Sequence, residues 1–218
     1  MEAENRNLLI EGAKIFGIHL HEKAVEDCNL YLKELLKWNQ KINLTAIRSE
    51  KGIVLKHFLD SLSVHPYLSK HSSILDIGSG AGFPGIPLKI IQPTLEMTLI
   101  DSVRKKVDFQ RHIIRMLGLK RTEAIHGRVQ DKGILQSLGG QFDITLSRAF
   151  SDLRTFLVLS LPFLKERGTV IAMKGKVDNN EMKQFTETEG SPYRFQKTIF
   201  LTLPFSSFKR TILLVEKI

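Results

Sequence analysis

The chain has 218 residues, 42% hydrophobic and 25% charged, which is the composition of a globular protein large enough for a substantial core. Its single cysteine excludes a disulfide framework, and without an apolar run of about 18 residues or a secretory leader we expect a cytoplasmic protein with no membrane span. The net charge is +9 and is unevenly distributed. Residues 1–70 (10 basic, 9 acidic) contribute +1, and residues 71–218 (22 basic, 14 acidic) contribute +8. We therefore expect the second part of the chain to bind an anionic partner such as nucleic acid.

The first third of the chain predicts helices. Apolar side chains recur at helical spacing in residues 2–18, 23–42 and 52–68, and Pro66 is expected to end the third helix. No strand-like alternation of useful length precedes Ser73. We therefore predict an N-terminal helical region, residues 1–66, followed by a second domain, residues 67–218.

After residue 72 short β-branched runs alternate with amphipathic stretches. The predicted strands are 73–78, 96–101, 123–127, 142–149 and 168–175, and a polar helix is predicted at 177–188. This alternation is typical of a doubly wound, mostly parallel α/β sheet. The last two strands, 197–204 and 210–218, are joined by five residues, which is too short for a parallel crossover, so they should pair antiparallel.

A parallel sheet that ends in an antiparallel hairpin resembles the class I S-adenosylmethionine methyltransferases. The predicted fold is accordingly α/β and Rossmann-like, with a seven-stranded sheet whose last strand is antiparallel, plus the N-terminal helical region.

The glycine-rich segment GSGAGFPG follows the first predicted strand. It lacks the Gly-Lys-Ser/Thr ending of a P-loop, and it fits a dinucleotide-binding G-x-G-x-x-G pattern only weakly. The methyltransferase pattern D-x-G-x-G-x-G falls on Asp76, Gly78, Gly80 and Gly82. Asp76 would suit an ammonium group, directly or through water. Asp101, at the end of the next strand, would suit the ribose hydroxyls of either cofactor, so the hairpin and the basic charge favour methyl transfer.

Several separated motifs give the chain a more specific resemblance. They are WNQKINLTAI (38–47), KHFLDSL (56–62), DIGSGAGFPGIPL (76–88), LIDSVRKKVDFQ (99–110), GRVQD (127–131), SRAF (147–150) and MKGK (173–176). In this order they resemble the bacterial ribosomal RNA small-subunit methyltransferase G family, formerly called glucose-inhibited division protein B. The resemblance covers nearly the whole chain.

The resemblance implies methyl transfer from S-adenosylmethionine to N7 of a guanosine in the decoding-region hairpin of 16S rRNA. Guanine N7 has an in-plane lone pair and needs no catalytic base. Methylation of an exocyclic amino group often uses an Asn/Asp-Pro-Pro-Tyr motif after the fourth strand, but this chain has SRAF there. Methylation at cytosine C5 needs a cysteine nucleophile, but the single cysteine, Cys28, lies in a helical stripe far from the site.

The expected partner is small-subunit rRNA or a ribosomal particle, and we expect a monomer. A non-catalytic RNA-binding or assembly factor, an NAD-dependent oxidoreductase and a methyltransferase of another RNA remain alternatives.

The resemblance also implies a cofactor site. Its predicted members are Asp76, Gly78, Gly80, Phe83, Asp101, Ser102, Val129, Gln130 and Arg148. Gln130 stands where the family usually has Glu, which removes a charge beside the adenine. Phe83 has core packing as its alternative role. Arg148 is also the predicted catalytic residue, facing the cofactor carboxylate, the guanine edge or a phosphate, and its alternative is an ion pair with Asp152.

The predicted RNA contacts are the basic side chains Arg104, Lys105, Arg111, Arg128, Lys174 and Arg210. Arg104 and Arg111 share one face of the helix after the second strand, and Lys174 and Arg210 are expected to face the mouth of the ligand crevice. A solvated surface charge is the alternative role for these four. His57 and Asp60 are three residues apart and share a helix face, but no further ligand cluster supports them, so no metal site is expected.

Overall fold

The computed structural model describes residues 1–148, 152–175 and 192–218. Its α-helices are α1 (Ala3–Ile15), α2 (Glu22–Asn39), α3 (Glu50–Ile53), α4 (Asp60–Leu62), α5 (Gly85–Ile91), α6 (Arg104–Met116), α7 (Lys132–Leu138) and α8 (Leu153–Ser160). A π-helical turn, Val54–Leu59, joins α3 to α4, and short 3-10 helices lie at His65–Tyr67 and Leu161–Phe163. The strands are β1 (Ser73–Ile77), β2 (Glu96–Asp101), β3 (Thr122–His126), β4 (Phe142–Arg148), β5 (Leu164–Lys174), β6 (Tyr193–Thr202) and β7 (Lys209–Lys217).

The seven strands form one sheet in the order β3-β2-β1-β4-β5-β7-β6. Strands β1 to β5 are parallel, and β7 lies antiparallel between β5 and β6. The predicted fold class is confirmed, including the antiparallel hairpin that the short final connection requires. Strand β5 begins four residues earlier than predicted, because a register shift between Phe142 and Ile144 leaves a bulge inside it.

The strand order places a ligand crevice at the carboxyl edge of the sheet. Strands β1 and β4 are neighbours, and the chain leaves them in opposite directions across the sheet, which is the switch point where α/β proteins bind ligands. Because β7 is antiparallel, its first residues and the end of β6 lie at this same edge. The final hairpin therefore borders the crevice that the glycine-rich loop opens.

The N-terminal helices share a hydrophobic core with one face of the sheet. Leu9 of α1, Tyr31 of α2 and Phe58 of the π-helical turn belong to the same buried cluster as Phe83 and Phe109. A second cluster covers the opposite face and includes residues of α8. The helical segment ends at the 3-10 helix before β1, but the domain boundary near residue 66 stays a prediction.

Several sequence expectations fall on residues outside the described ranges. They are the polar helix at 177–188, residues 149 and 150 of the SRAF motif, the first of which also ends the predicted strand 142–149, and residue 176 of the MKGK motif. Within the described part of the chain, no helix has the length and apolar character needed to span a membrane.

Candidate active site

A cavity of about 320 Å³ opens beside the carboxyl ends of β1, β2 and β3. Six of the predicted site residues line it: Gly78, Asp101, Ser102, Arg128, Val129 and Gln130. Five of these were predicted for the cofactor. Arg128 was predicted for RNA, and the structure places it in this cavity. We call this cavity the nucleoside cavity, because its position and its carboxylate suit a ribose.

The glycines of the loop after β1 have two different structural roles. Gly78 and Gly80 have φ values of +70° and +62°, and a Cβ on Gly78 would meet no atom within 4 Å. A Cβ on Gly82 would instead lie 2.4 Å from the Ile86 side chain and 3.0 Å from the Tyr31 hydroxyl. The first two glycines therefore keep the crevice open for a ligand, whereas Gly82 lets the loop pack on the core.

The amide groups at the start of α5 are used within the protein. Gly85 N–H donates to the Asp76 carboxylate at 2.9 Å, Ile86 N–H donates to the Gly82 carbonyl at 2.8 Å, and Pro87 has no N–H. A dinucleotide-binding fold directs such amides at a pyrophosphate. Here they already have partners, so the loop fits a cofactor without phosphate better than a dinucleotide.

Asp76 lies beneath the loop. Its side chain is fully buried, one carboxylate oxygen accepts the Gly85 amide, and the other has no hydrogen-bond partner. Burial raises the pKa of Asp76 to about 7. The carboxyl group holds the loop against α5, and its predicted contact with the cofactor stays a prediction.

Asp101 presents a carboxylate to the nucleoside cavity in a fixed orientation. One oxygen accepts the Gly80 amide at 2.9 Å and the other accepts the Val103 amide at 2.8 Å. Each carboxylate oxygen has a further lone pair, so the group can accept from two neighbouring hydroxyls. Gln110, on α6, donates to the Ser79 hydroxyl at 2.8 Å and to the Gly80 carbonyl at 2.7 Å. These residues fit the ribose of a nucleoside cofactor.

Two further cavities continue the crevice toward the final hairpin. One, of about 200 Å³, is lined by residues that include Thr45, His57, Gly78, Gly80, Phe83 and Arg148. The next, of about 350 Å³, is lined by residues that include Lys56, Asp60, Arg148, Lys174 and Arg210, and we call it the basic mouth. Gly78 borders the first two cavities and Arg148 borders the last two. Arg148 therefore lies where the cofactor crevice meets the basic mouth.

Asp60 holds the two arginines of the basic mouth. It is 2% exposed, accepts from Arg210 Nε at 2.8 Å and lies 3.5 Å from Arg148 Nη1. Arg148 also donates to the carbonyl of Lys56, in the π-helical turn, at 3.0 Å. The alternative role predicted for Arg148, an ion pair with Asp152, is wrong, because the carboxylate that pairs with Arg148 is that of Asp60.

Asp152 serves a local purpose. Its carboxylate caps α8 by accepting the Thr155 amide at 2.7 Å. A carboxylate at this position satisfies a donor of the first helical turn. The carboxylate that neutralises Arg148 therefore comes from the N-terminal helices.

Phe83 lies at the centre of an aromatic stack. Tyr31 covers one ring face at a centroid distance of 5.0 Å, and His57 stacks on it at 4.6 Å. Phe83 is 3% exposed. Its ring therefore packs the core, and a cofactor contact through the ring edge stays a prediction. Sequence reasoning missed Tyr31, although it lies three residues after Cys28 on the same helical stripe.

His57 connects this stack to the N-terminal motif. Its Nε2 is 2.8 Å from the Thr45 hydroxyl, and the Thr45 amide donates to the Asn39 side chain at 3.0 Å. Burial, together with the charge of Arg148, lowers the pKa of His57 from its usual 6.5 to about 3. The imidazole is therefore neutral at physiological pH.

We expect this neutral histidine to make stability depend on pH. Below pH 6.5 the unfolded chain binds a proton at His57 that the folded chain does not bind until about pH 3. The free energy of unfolding of the wild type, relative to His57→Gln, should therefore fall by about 1.4 kcal/mol per pH unit as the pH drops from 6.5 to 4. Urea unfolding at several pH values measures this difference.

A difference between His57→Gln and the wild type that stays constant from pH 6.5 to 4 would contradict a buried neutral imidazole.

The remaining basic residues predicted for RNA lie in different places. Arg104 and Lys105 are exposed at the start of α6, close to the carboxyl end of β2. Arg111 lies one to two turns further along and donates through Nε to the Ala124 carbonyl at 2.9 Å. All three of these side chains are exposed, and Arg111 is in addition hydrogen-bonded to β3. Among the described residues, no group of three or more His, Cys, Asp or Glu could hold a metal ion.

The family model for rRNA small subunit methyltransferase G, GidB, matches residues 24–205. The chain belongs to this family. A ribosomal RNA small subunit methyltransferase G of Geotalea uraniireducens is 42% identical over 221 residues, covering 100% of this chain and 99% of the relative. The Acetivibrio thermocellus protein of the same name is 39% identical over 221 residues, covering 99% and 90%. The predicted family and enzyme class, a small-subunit rRNA methyltransferase, are confirmed, and so is the predicted methyl donor, S-adenosylmethionine.

Solved structures support the fold of this methyltransferase. M. jannaschii TYW2, crystallised with AdoMet, superposes with a TM-score of 0.60 at 14% identity, covering 79% of this chain and 80% of that chain. A SAM dependent methyltransferase from Aquifex aeolicus gives a TM-score of 0.58 at 16% identity, covering 76% and 93%. At these identities the likeness concerns the fold alone.

Proposed function

We propose that this methyltransferase modifies N7 of one guanosine in the decoding-region hairpin of 16S rRNA, in the cytoplasm and as a monomer. The observation that carries the proposal is the continuous crevice. It leads from the nucleoside cavity, past Arg148, into a mouth that contains Lys56, Lys174 and Arg210. A cofactor and an anionic substrate would then meet at Arg148.

The residues that hold the cofactor follow from the fit of the nucleoside cavity. The Asp101 carboxylate would hold the ribose, and Ser102, Val129 and Gln130, which line the same cavity, would border the nucleoside. Gly78 and Gly80 leave room for the ligand because neither carries a side chain. When bound, S-adenosylmethionine supplies an electrophilic methyl group. The contribution of the protein is to orient the reactants and to exclude water.

None of the acids or the histidine next to Arg148 is suited to take a proton from the substrate, which agrees with a reaction at guanine N7. The Asp60 carboxylate is neutralised by two arginines, and the Asp76 carboxyl group is buried beneath the loop, out of reach of a substrate. Burial and the charge of Arg148 lower the pKa of His57 to about 3, so its imidazole is a weak base. Since N7 has a free lone pair, the reaction needs no proton removal. Methylation of an exocyclic amine would need a proton acceptor that these three groups do not offer.

The basic mouth would receive the target nucleotide. Arg148 reaches both the cofactor crevice and the mouth, so it is the residue placed to contact the guanine edge. Arg104 and Lys105 begin the helix after β2, on the side of the nucleoside cavity, and would contact backbone phosphates there. Phosphate contacts position the RNA, and the pocket at Arg148 selects the base.

The test is methyl transfer from methyl-tritiated S-adenosylmethionine to small ribosomal subunits from cells that lack this enzyme. Naked rRNA and tRNA are compared, and labelled positions are mapped by strand cleavage selective for 7-methylguanosine. One labelled guanosine in the decoding-region hairpin is the expected result. Label at another position or on another atom would overturn the proposal. Cofactor binding without transfer to any RNA would also overturn it, and absence of cofactor binding would favour a non-catalytic assembly factor.

A further inference from the structure

The turn between β6 and β7, residues 203–208, lies at the edge of the sheet that carries the active site. Strand β6 ends at Thr202 and β7 begins at Lys209, both at the carboxyl edge of the parallel strands. Arg210, one residue into β7, is bound to Asp60 in the basic mouth. This ion pair therefore fixes the turn next to the basic mouth, on the side of the mouth away from the nucleoside cavity.

Hydrogen bonds hold this turn in one shape. Leu203 N–H donates to the Phe208 carbonyl at 2.9 Å, and the Ser206 hydroxyl donates to the Leu203 carbonyl at 2.9 Å. Leu203 is buried, whereas Phe205 has φ +55° and is 56% exposed. A large aromatic ring is thus held in solvent by a well-anchored turn, at a backbone conformation that few side chains other than glycine adopt.

The surroundings of the turn are basic and continuous with the mouth. The Lys56 ammonium lies 4.2 Å from the centroid of the Phe208 ring, and Lys209 is exposed. A cavity of about 470 Å³ next to the turn is lined by residues that include Lys209 and Arg210, and it shares Gly175 and Arg210 with the basic mouth. Exposed aromatic rings among basic side chains are typical of surfaces that bind unpaired RNA.

We propose that this turn is a second RNA contact, in which Phe205 stacks on an unpaired base near the target guanosine and Lys209 binds a backbone phosphate. The occupant is a loop nucleotide of the same RNA that enters the basic mouth. The inference rests on the proposed function, because it places part of that RNA at the outer end of the crevice. Stacking on Phe205 would select RNA with an unpaired nucleotide next to the target, whereas the basic mouth alone would recognise phosphate charge and the target base.

The direct test compares Phe205→Ala with Phe205→Trp in the methyl-transfer assay on small ribosomal subunits. Loss of one stacked base should raise the KM for RNA about tenfold in Phe205→Ala, whereas Phe205→Trp should keep a value near that of the wild type. The Kd for S-adenosylmethionine should not change in either variant. We choose alanine and not glycine because alanine, like phenylalanine, is disfavoured at a positive φ, so the substitution removes the ring without changing the backbone energy of the turn.

Ile218→Ala is the matched control. Ile218 is 68% exposed and follows the opposite end of β7, about 30 Å from Lys209 at the usual rise of a strand. This variant removes a similar exposed apolar group and should leave the KM for RNA unchanged. Phe205→Trp also supplies a fluorescent probe, whose quenching by RNA should exceed that of the wild type, where Trp38 is the single tryptophan.

Lys209→Ala tests the phosphate contact. The slope of log affinity against log salt should fall by about 0.7 to 1. If the wild type methylates the RNA but Phe205→Ala keeps its KM and Phe205→Trp shows no extra quenching, the turn is not an RNA contact and the proposed function stands. If the wild type does not methylate small-subunit RNA, the proposed function itself fails.

Discussion

Gly78→Ala should weaken S-adenosylmethionine binding about 100-fold, or about 2.7 kcal/mol, because the new methyl group would occupy space that the cofactor needs. A Cβ at this position meets no protein atom within 4 Å, so it would project into the open crevice. Its effect on the fold should be small. Alanine at φ +70° costs about 1 kcal/mol of backbone energy, and no neighbour has to move.

Gly118→Ala separates the cofactor effect from the backbone effect. Gly118 follows α6, has φ +61° and also has open space around its Cβ position. Both variants should lose about 1 kcal/mol of unfolding free energy, but only Gly78→Ala should lose cofactor binding. Calorimetric titration and urea unfolding give the two quantities. Equal cofactor affinity in the two variants would contradict a cofactor in the crevice at Gly78.

Asp60→Asn should destabilise the protein by about 3 kcal/mol and lower methyl transfer about 100-fold. The change removes a buried carboxylate that is bound to two arginines, so two guanidinium groups lose their counter-charge in a site that is mostly shielded from water. The neutral amide also no longer holds Arg148 at the junction of the cavities, and misplacing a positioning group by about 1 Å can cost about 100-fold in rate.

Glu96→Gln is the control for Asp60→Asn. Glu96 pairs with Arg121 at 3.4 Å, and both side chains are more than half exposed. Removing such a surface charge should cost less than about 1 kcal/mol and should leave transfer unchanged. Equal losses of stability for the two variants would mean that the pair at Asp60 is no stronger than a surface ion pair.

Arg148→Lys should retain the charge of Arg148 but lose activity as Asp60→Asn does, because an ammonium lacks the planar fork of donors.

The fold was predictable because its signals are local. Each strand of the parallel sheet is a short β-branched run, and the antiparallel hairpin follows from a connection of five residues. The nucleoside cavity was predictable for the same reason. Gly78 and Asp101 are the last residues of predicted strands, Gln130 comes three residues after another, and the ends of parallel strands meet at one edge.

The contacts around Arg148 were not predictable, because they join distant parts of the chain. Asp60 and Arg210 are 150 residues apart, and no spacing pattern indicates that they touch. Sequence proximity suggested Asp152 as the partner of Arg148, but that side chain caps the helix that follows it. The stack of Tyr31, Phe83 and His57 likewise depends on how the N-terminal helices lie against the sheet.

That stack has a genetic consequence. The glycine-rich loop is supported by the N-terminal helices, since the Tyr31 hydroxyl donates to the Ala81 carbonyl at 2.5 Å and His57 stacks on Phe83. A selection for loss of the modification should therefore recover inactivating substitutions throughout the first 60 residues as well as in the glycine loop. The mutational target of this enzyme is much larger than its set of ligand contacts.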